Sequence, residues 1–185
     1  RSTPPDTAMP APTLHTPRLT LRQHALADLE PLYAALGSEH ARYMGGPFSR
    51  RDAWYILGAE AGSWDILGHG SWGVETRDGT FVGQVGINRP PHYPEAEIGW
   101  TLLPEAEGKG YATEATTAAL HWAWENGFQT LVSYITPGND RSIALAERLG
   151  AAPDPDAPLP EGETPEETVV YRHAPDTDGA PEAYA

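Results

Sequence analysis

The chain has 185 residues, enough for one domain with a sizeable core and too few for two. It contains no cysteine, which excludes disulfides, thiolate metal sites and a cysteine nucleophile. The formal net charge is −14, of which −8 falls between Pro153 and Ala185. The acidic balance repels phosphate backbones, so no nucleic-acid partner is expected.

Residues 1–13 hold four prolines and read as a flexible lead-in without a signal-peptide core. No apolar run approaches the ~20 residues that a bilayer span needs, so the default expectation is a soluble cytoplasmic protein with no membrane partner. Alternation of Leu14, Leu19 and Leu21 with polar residues predicts a first strand around Arg18–Gln23. Leu26, Leu29, Leu32, Tyr33 and Leu36 then follow helical spacing, with Asp28 as a cap and Gly37 as a stop. A second helix is predicted from about Arg50 to Ala61. The period next changes to two, giving strands Trp72–Thr76 and Phe81–Asn88 around an Arg77–Gly79 turn. A third meander strand near Ala96–Leu103 ends at Pro104. A long helix over Gly108–Asn126 stops at Gly127, a strand over Thr130–Thr136 follows, and a helix over Asp140–Leu149 stops at Gly150. A polar, Pro-rich loop and a short strand precede a last strand over Thr168–His173, and residues 175–185 read as an acidic disordered tail. An antiparallel meander ahead of one β-α-β crossover indicates an α/β (α+β mixed) domain over 14–174. Its central sheet is mixed, mostly antiparallel and flanked by helices.

The stretch Glu107–Ala115 places Gly108 and Gly110 around Lys109 where the long helix begins. A helix start exposes unpaired N–H groups and roughly half a positive charge. Two missing Cβ atoms let an anion approach that backbone, and Lys109 and Thr113 add a charge and a hydroxyl. Neither a Walker loop nor a dinucleotide fingerprint is present. A Gly-softened strand-to-helix turn explains the loop equally well when it is taken alone.

Two stretches, "IGWTLLPEAEGKGYATEATTAAL" and "SYITPGNDRSIALAERLGA", together resemble the GNAT N-acetyltransferases, most closely the RimJ/RimL-type branch. The family's loop, Q/R-x-x-G-x-G/A, is matched by Glu107, Gly108, Lys109, Gly110, Tyr111 and Ala112. The family's Asn-opened helix ending in Leu-Gly is matched by Asn139 to Gly150. The resemblance spans about Leu14 to His173. Glu107 departs from the pattern, because a carboxylate beside a diphosphate repels it unless the side chain turns away.

The resemblance implies the GNAT fold, with the β-α-β crossover carrying an acetyl-CoA loop, and acetyl transfer from acetyl-CoA to a primary amine. Acceptors in view are a protein N-terminus or a small amine, including a polyamine or an aminoglycoside. Cofactor contacts are expected from Gly108, Lys109, Gly110, Tyr111, Ala112 and Thr113, and from a backbone N–H at about Leu102–Leu103 that faces the thioester carbonyl. Asn139 is expected to hold the pantetheine arm or to be an N-cap.

For the general base, Glu97 comes first and Glu95 second; the alternative for Glu97 is a solvated or helix-facing carboxylate. His92 could reach the cleft mouth or be an exposed loop histidine. The tyrosine acid of many members falls at Ala146, which excludes it, and leaves Ser142 as acid or as a helix-start hydroxyl. Tyr134 lines the acyl channel or is a core aromatic. The seven histidines show no metal-ligand spacing, so no metal is expected. Family members often pair as homodimers, on which the residues themselves are silent. A non-catalytic acyl-CoA sensor on the same fold and, further off, a nucleotide-binding domain are the competing readings.

Overall fold

The computed structural model describes residues 10–176. Eight strands form one open sheet: β1 (Leu14–His15), β2 (Leu19–Arg22), β3 (Ser71–Thr76), β4 (Phe81–Asn88), β5 (Glu97–Leu102), β6 (Leu131–Ile135), β7 (Ala152–Pro153) and β8 (Val169–His173). Their order is β1-β2-β3-β4-β5-β6-β8-β7. All neighbours are antiparallel except β5 and β6, which are parallel and in register only at Glu97 and Val132. The helices are α1 (Leu29–Leu36), α2 (Arg50–Leu67), α3 (Tyr111–Glu125) and α4 (Asp140–Arg148). This is the mixed, mostly antiparallel sheet with flanking helices that the element order implies.

Three boundaries differ from expectation. The first strand is a hairpin, because Leu14–His15 pairs back onto Thr20 and Leu21. The lead-in falls outside the described residues over 1–9, but its end is docked: Ala11 is buried and donates its N–H to Gln23 Oε1 at 2.7 Å. Of the expected acidic tail, residues 177–185 also lie outside the described residues. Helix α2 runs past Ala61 to Leu67. Gly62 and Ser63 lower its local propensity, yet Trp64 is buried, donates its indole N–H to Ser71 O at 2.8 Å and packs edge-on against Trp72 and Trp122. Tertiary packing overrides propensity there.

Asp28 does not cap α1. Its buried carboxylate instead accepts from Arg22 Nη1 and Nη2 at 2.8 and 2.9 Å, pairs with His24 Nδ1 at 2.8 Å and takes the Ala25 N–H at 3.0 Å. Burial opposes the charge, but these donors win and hold Asp28 well below the usual carboxylate range.

Cross-strand register divides the sheet into two unlike faces. Trp72, Val85, Ile87 and Ile98 share one face, which joins the alanine stripe of α3 (Ala115, Ala119, Ala123) in the main core. Small alanines let that helix lie close against the strands. The opposite face carries Ser71, Gly73, Gln84, Gly86, Asn88, Glu97, Gly99 and Thr101 in cross-strand rows. It is polar, yet Ser71, Gln84 and Thr101 are buried.

Candidate active site

That polar face floors a cavity of about 560 Å³, roofed by Tyr43 and Met44 and walled by α2, the start of α4 and the 162–168 loop. Four of the residues singled out from sequence meet in it: Glu97, Tyr134, Asn139 and Ser142.

The cavity exists because β5 and β6 part. Val132 N–H bonds Ala96 O at 3.1 Å, and the ladder then stops. Where it would continue, Ser133 Oγ donates to Ile98 O at 2.7 Å, and the Glu97 carboxylate accepts the backbone N–H of Tyr134. Buried His173 braces the first of these, with Nε2 2.9 Å from Ser133 Oγ. Burial lowers its pKa to about 4, so this histidine is neutral. Two side chains thus satisfy the polar groups that the splay releases.

Glu97 sits on the cavity floor. Burial pushes its pKa up to about 8; the Tyr134 N–H and the Tyr93 hydroxyl pull against that, while Glu60 and Glu163 add to it. Tyr134 packs edge-on against Tyr93 at 5.3 Å, and its buried hydroxyl has no hydrogen-bond partner among the described residues. Asn139 caps α4, its side chain accepting from Ser142 N at 3.4 Å. Ser142 Oγ accepts from the Trp100 indole at 3.3 Å, which leaves its own hydrogen to point elsewhere.

Two sequence expectations, Glu95 and Leu103, are corrected, and His92 takes its exposed-loop alternative. Glu95 is not on the cavity wall; Arg172 grips it through two bonds of 2.9 Å and also holds Asp154. His92 is exposed, also outside the wall, with its ring against Tyr93. Leu103 cannot present a free N–H, because it donates to Val82 O at 2.8 Å. Alternation along β5 turns the Leu102 N–H away from β4, toward the splay; Leu102 O, on the same side, accepts from His40 Nε2 at 2.8 Å.

The loop that opens α3 lies beyond the C-terminal end of β5. Gly108 and Gly110 both have left-handed backbones, with φ of 76° and 79°. Left-handed geometry, rather than crowding, is what demands glycine at 108, since a Cβ there would meet nothing within 4 Å. No described residue accepts a hydrogen bond from the N–H groups of 108–113. Glu107 turns to Arg141 and lies 3.5 Å from His40 Nδ1, so its charge is countered and joins this loop to the first turn of α4. Arg18 Nη1 bonds Lys109 O at 2.8 Å, and Arg148 Nη1 reaches Thr113 Oγ1 at 3.3 Å. Among the described residues neither Lys109 nor Arg148 forms an ion pair.

The sequence reading missed Arg18 and Arg148, which come from distant elements. It also missed Glu60, Gln84 and Asn88, although the small and polar alternate positions of "SWGVET" and "FVGQVGIN" signal a second sheet face that is not hydrophobic. The residues missed on the 162–168 wall, Glu163 and Glu167, belong to what reads as a polar connecting loop.

A sequence model of the acetyltransferase (GNAT) domain matches residues 18–152. The chain belongs to the GNAT acetyltransferase family. The acetyltransferase from Agrobacterium tumefaciens str. C58 is 40% identical, with a TM-score of 0.84 over 89% of this GNAT chain and 95% of that one. The N-acetyltransferase YoaA of Bacillus subtilis (strain 168) is 26% identical over 145 residues, 75% of this chain and 82% of YoaA. YkkB of the same organism is 37% identical over 79 residues, 41% of this chain but only 46% of YkkB. The GNAT fold is shared with RimL, a ribosomal L7/L12 α-N-protein acetyltransferase solved with coenzyme A, at 16% identity and a TM-score of 0.72 over 90% of this chain and 100% of that one. At this identity that neighbour speaks for the fold alone.

Proposed function

We propose that this GNAT protein is an N-acetyltransferase that moves an acetyl group from acetyl-CoA to a primary amine by direct attack within a ternary complex. The observation that carries the reading is Glu97, a carboxyl group with a pKa near neutrality, set on the floor of a cavity that opens where β5 and β6 separate. Acetyl-CoA supplies the activated thioester: the amine nitrogen forms a bond to the carbonyl carbon as the C–S bond breaks.

The residues fit such a carrier. The N–H groups of 108–113 lack acceptors within the described chain, and Lys109 and Arg148 stand beside them to meet a diphosphate. Glu107 does not oppose this, because Arg141 holds it. Asn139 sits at the α4 end of the cavity, where the pantetheine arm would pass. The Leu102 N–H faces the splay and would stabilise charge that develops on the carbonyl oxygen. Glu97 would take the ammonium proton, and the Ser142 hydroxyl would give a proton to the departing sulfur and regain one, through solvent, from the amine nitrogen as the amide forms. Tyr134 would line the path of the acyl group, its hydroxyl available to the acceptor.

The test is free-thiol release from acetyl-CoA with a panel of amines, paired with mass analysis of each acceptor. Amine-dependent thiol release with matching acetylated product supports the reading. Stabilisation by acetyl-CoA without thiol release for any acceptor would instead support a sensor.

A further inference from the structure

The cavity holds a second polar group set that acetyl transfer leaves unused. Glu60 on α2, Ser71 on β3, and Gln84 and Asn88 on β4 all face into it. Asn88 Nδ2 donates to Ser71 Oγ at 3.2 Å, and Ser71 and Gln84 lie close enough to the Glu60 carboxyl group to favour its charged form against burial. A Cβ on Gly86 would fall 1.8 Å from Ser71 Oγ, so glycine at 86 makes room for this network.

Three buried acceptors remain: Glu60 Oε2, Gln84 Oε1 and Asn88 Oδ1 have no hydrogen-bond partner among the described residues. Gln84 is only 6% exposed. Buried acceptors left unpaired are costly and call for a donor. An anion would be repelled and a hydroxyl would satisfy one of them, whereas an ammonium group has three donors and a positive charge. Among the described residues no group of three or more acidic or histidine side chains is placed to hold a metal ion. Glu97 lies close enough to feel the charge of Glu60, and Glu163 and Glu167 add acidity to the cavity wall.

We infer that Glu60, Gln84 and Asn88 form a seat for a second ammonium group, so that the acceptor is a diamine or oligoamine with one nitrogen at Glu97 and another at this seat. The inference rests on the amine-acetylation reading and names its substrate class. Burial raises the proton affinity of Glu60, and an ammonium partner supplies the counter-charge that favours its carboxylate form.

The experiment compares α,ω-diaminoalkanes of three to eight carbons with monoaminoalkanes of equal length. In the wild type, kcat/KM for the best diamine should exceed that for its monoamine by roughly 10- to 100-fold, the range of a charge-assisted hydrogen bond. In Glu60→Gln and, separately, Gln84→Met, that ratio should fall toward one. Taking the ratio within each variant cancels a general loss of activity, and thermal unfolding confirms that each variant is folded. A wild-type ratio near one, or a ratio unchanged in both variants, overturns the seat. Calorimetric titration of the best-fitting diamine onto the CoA-saturated protein separates the two layers. Heat that depends on Glu60, without acetylated product, keeps the seat and removes acetyl transfer; monoamine turnover without diamine preference does the reverse. Neither heat nor product removes both.

Discussion

Replacing Glu97 with glutamine tests the chemistry at its most exposed point. With a pKa of about 8, Glu97 is ionised in only about one tenth of free protein molecules at pH 7. Because the pKa is raised, the base form accumulates as pH rises, so kcat/KM should climb roughly tenfold between pH 7 and a plateau above the pKa. The amide oxygen introduced by Glu97→Gln can still accept the Tyr134 N–H, so the splay survives while proton uptake is lost. Activity of Glu97→Gln should fall by about 10²- to 10⁴-fold, and the bend near pH 8 should vanish. Initial-rate pH profiles with two acceptors of different amine pKa separate the protein's ionisation from the substrate's. A bend that follows the acceptor's pKa, or a Glu97→Gln profile that keeps the wild-type bend, would refute Glu97 as base.

Other consequences can be measured independently. Gly108→Ala and Gly110→Ala force a side chain into left-handed backbone, costing roughly 1–2 kcal/mol each in denaturant unfolding. Acetyl-CoA affinity should drop further in Gly110→Ala, whose Cβ would lie 3.3 Å from Arg18 Nη2; equal affinity in both variants and wild type would count against the loop as the binding element. Ser142→Ala should lower kcat at least roughly tenfold with little change in acetyl-CoA affinity, because the indole bond leaves the hydroxyl proton free; an unaltered kcat, with chemistry rate-limiting, ends that role. His173 has a folded pKa of about 4, below its ordinary 6.5, so stability held above pH 6.5 is lost as pH falls toward 4. The loss is about 1.4 kcal/mol per pH unit, roughly 3 kcal/mol in all. Urea unfolding of His173→Gln should lack that increment, and acid limbs parallel to wild type would contradict it.

Much of this is legible in the sequence. The glycines around Lys109 sit at a strand-to-helix change, a local signal, and the structure makes both left-handed. Period-two alternation along β5 puts Glu97 on the same face as Gly99 and Thr101, and that face is the cavity floor. What failed was non-local. Nothing near Glu95 announces that Arg172, 77 residues later, takes both its oxygens. Leu103 looks equivalent to Leu102 until the register with Val82 is known. Glu60 was hidden because its worth depends on two strands, β3 and β4, presenting Ser71, Gln84 and Asn88 to it. Arg148 stands at the end of its helix, with no motif to tie it to the α3 entrance that it reaches.

The most direct measurement follows backbone amide resonances of the protein during titration with acetyl-CoA. The amides of 108–113, together with that of Leu102, should shift most, saturate at one equivalent, and weaken as ionic strength rises. Saturable binding that leaves those amides unmoved and perturbs another surface would contradict the assignment of this helix entrance as the acyl-carrier site.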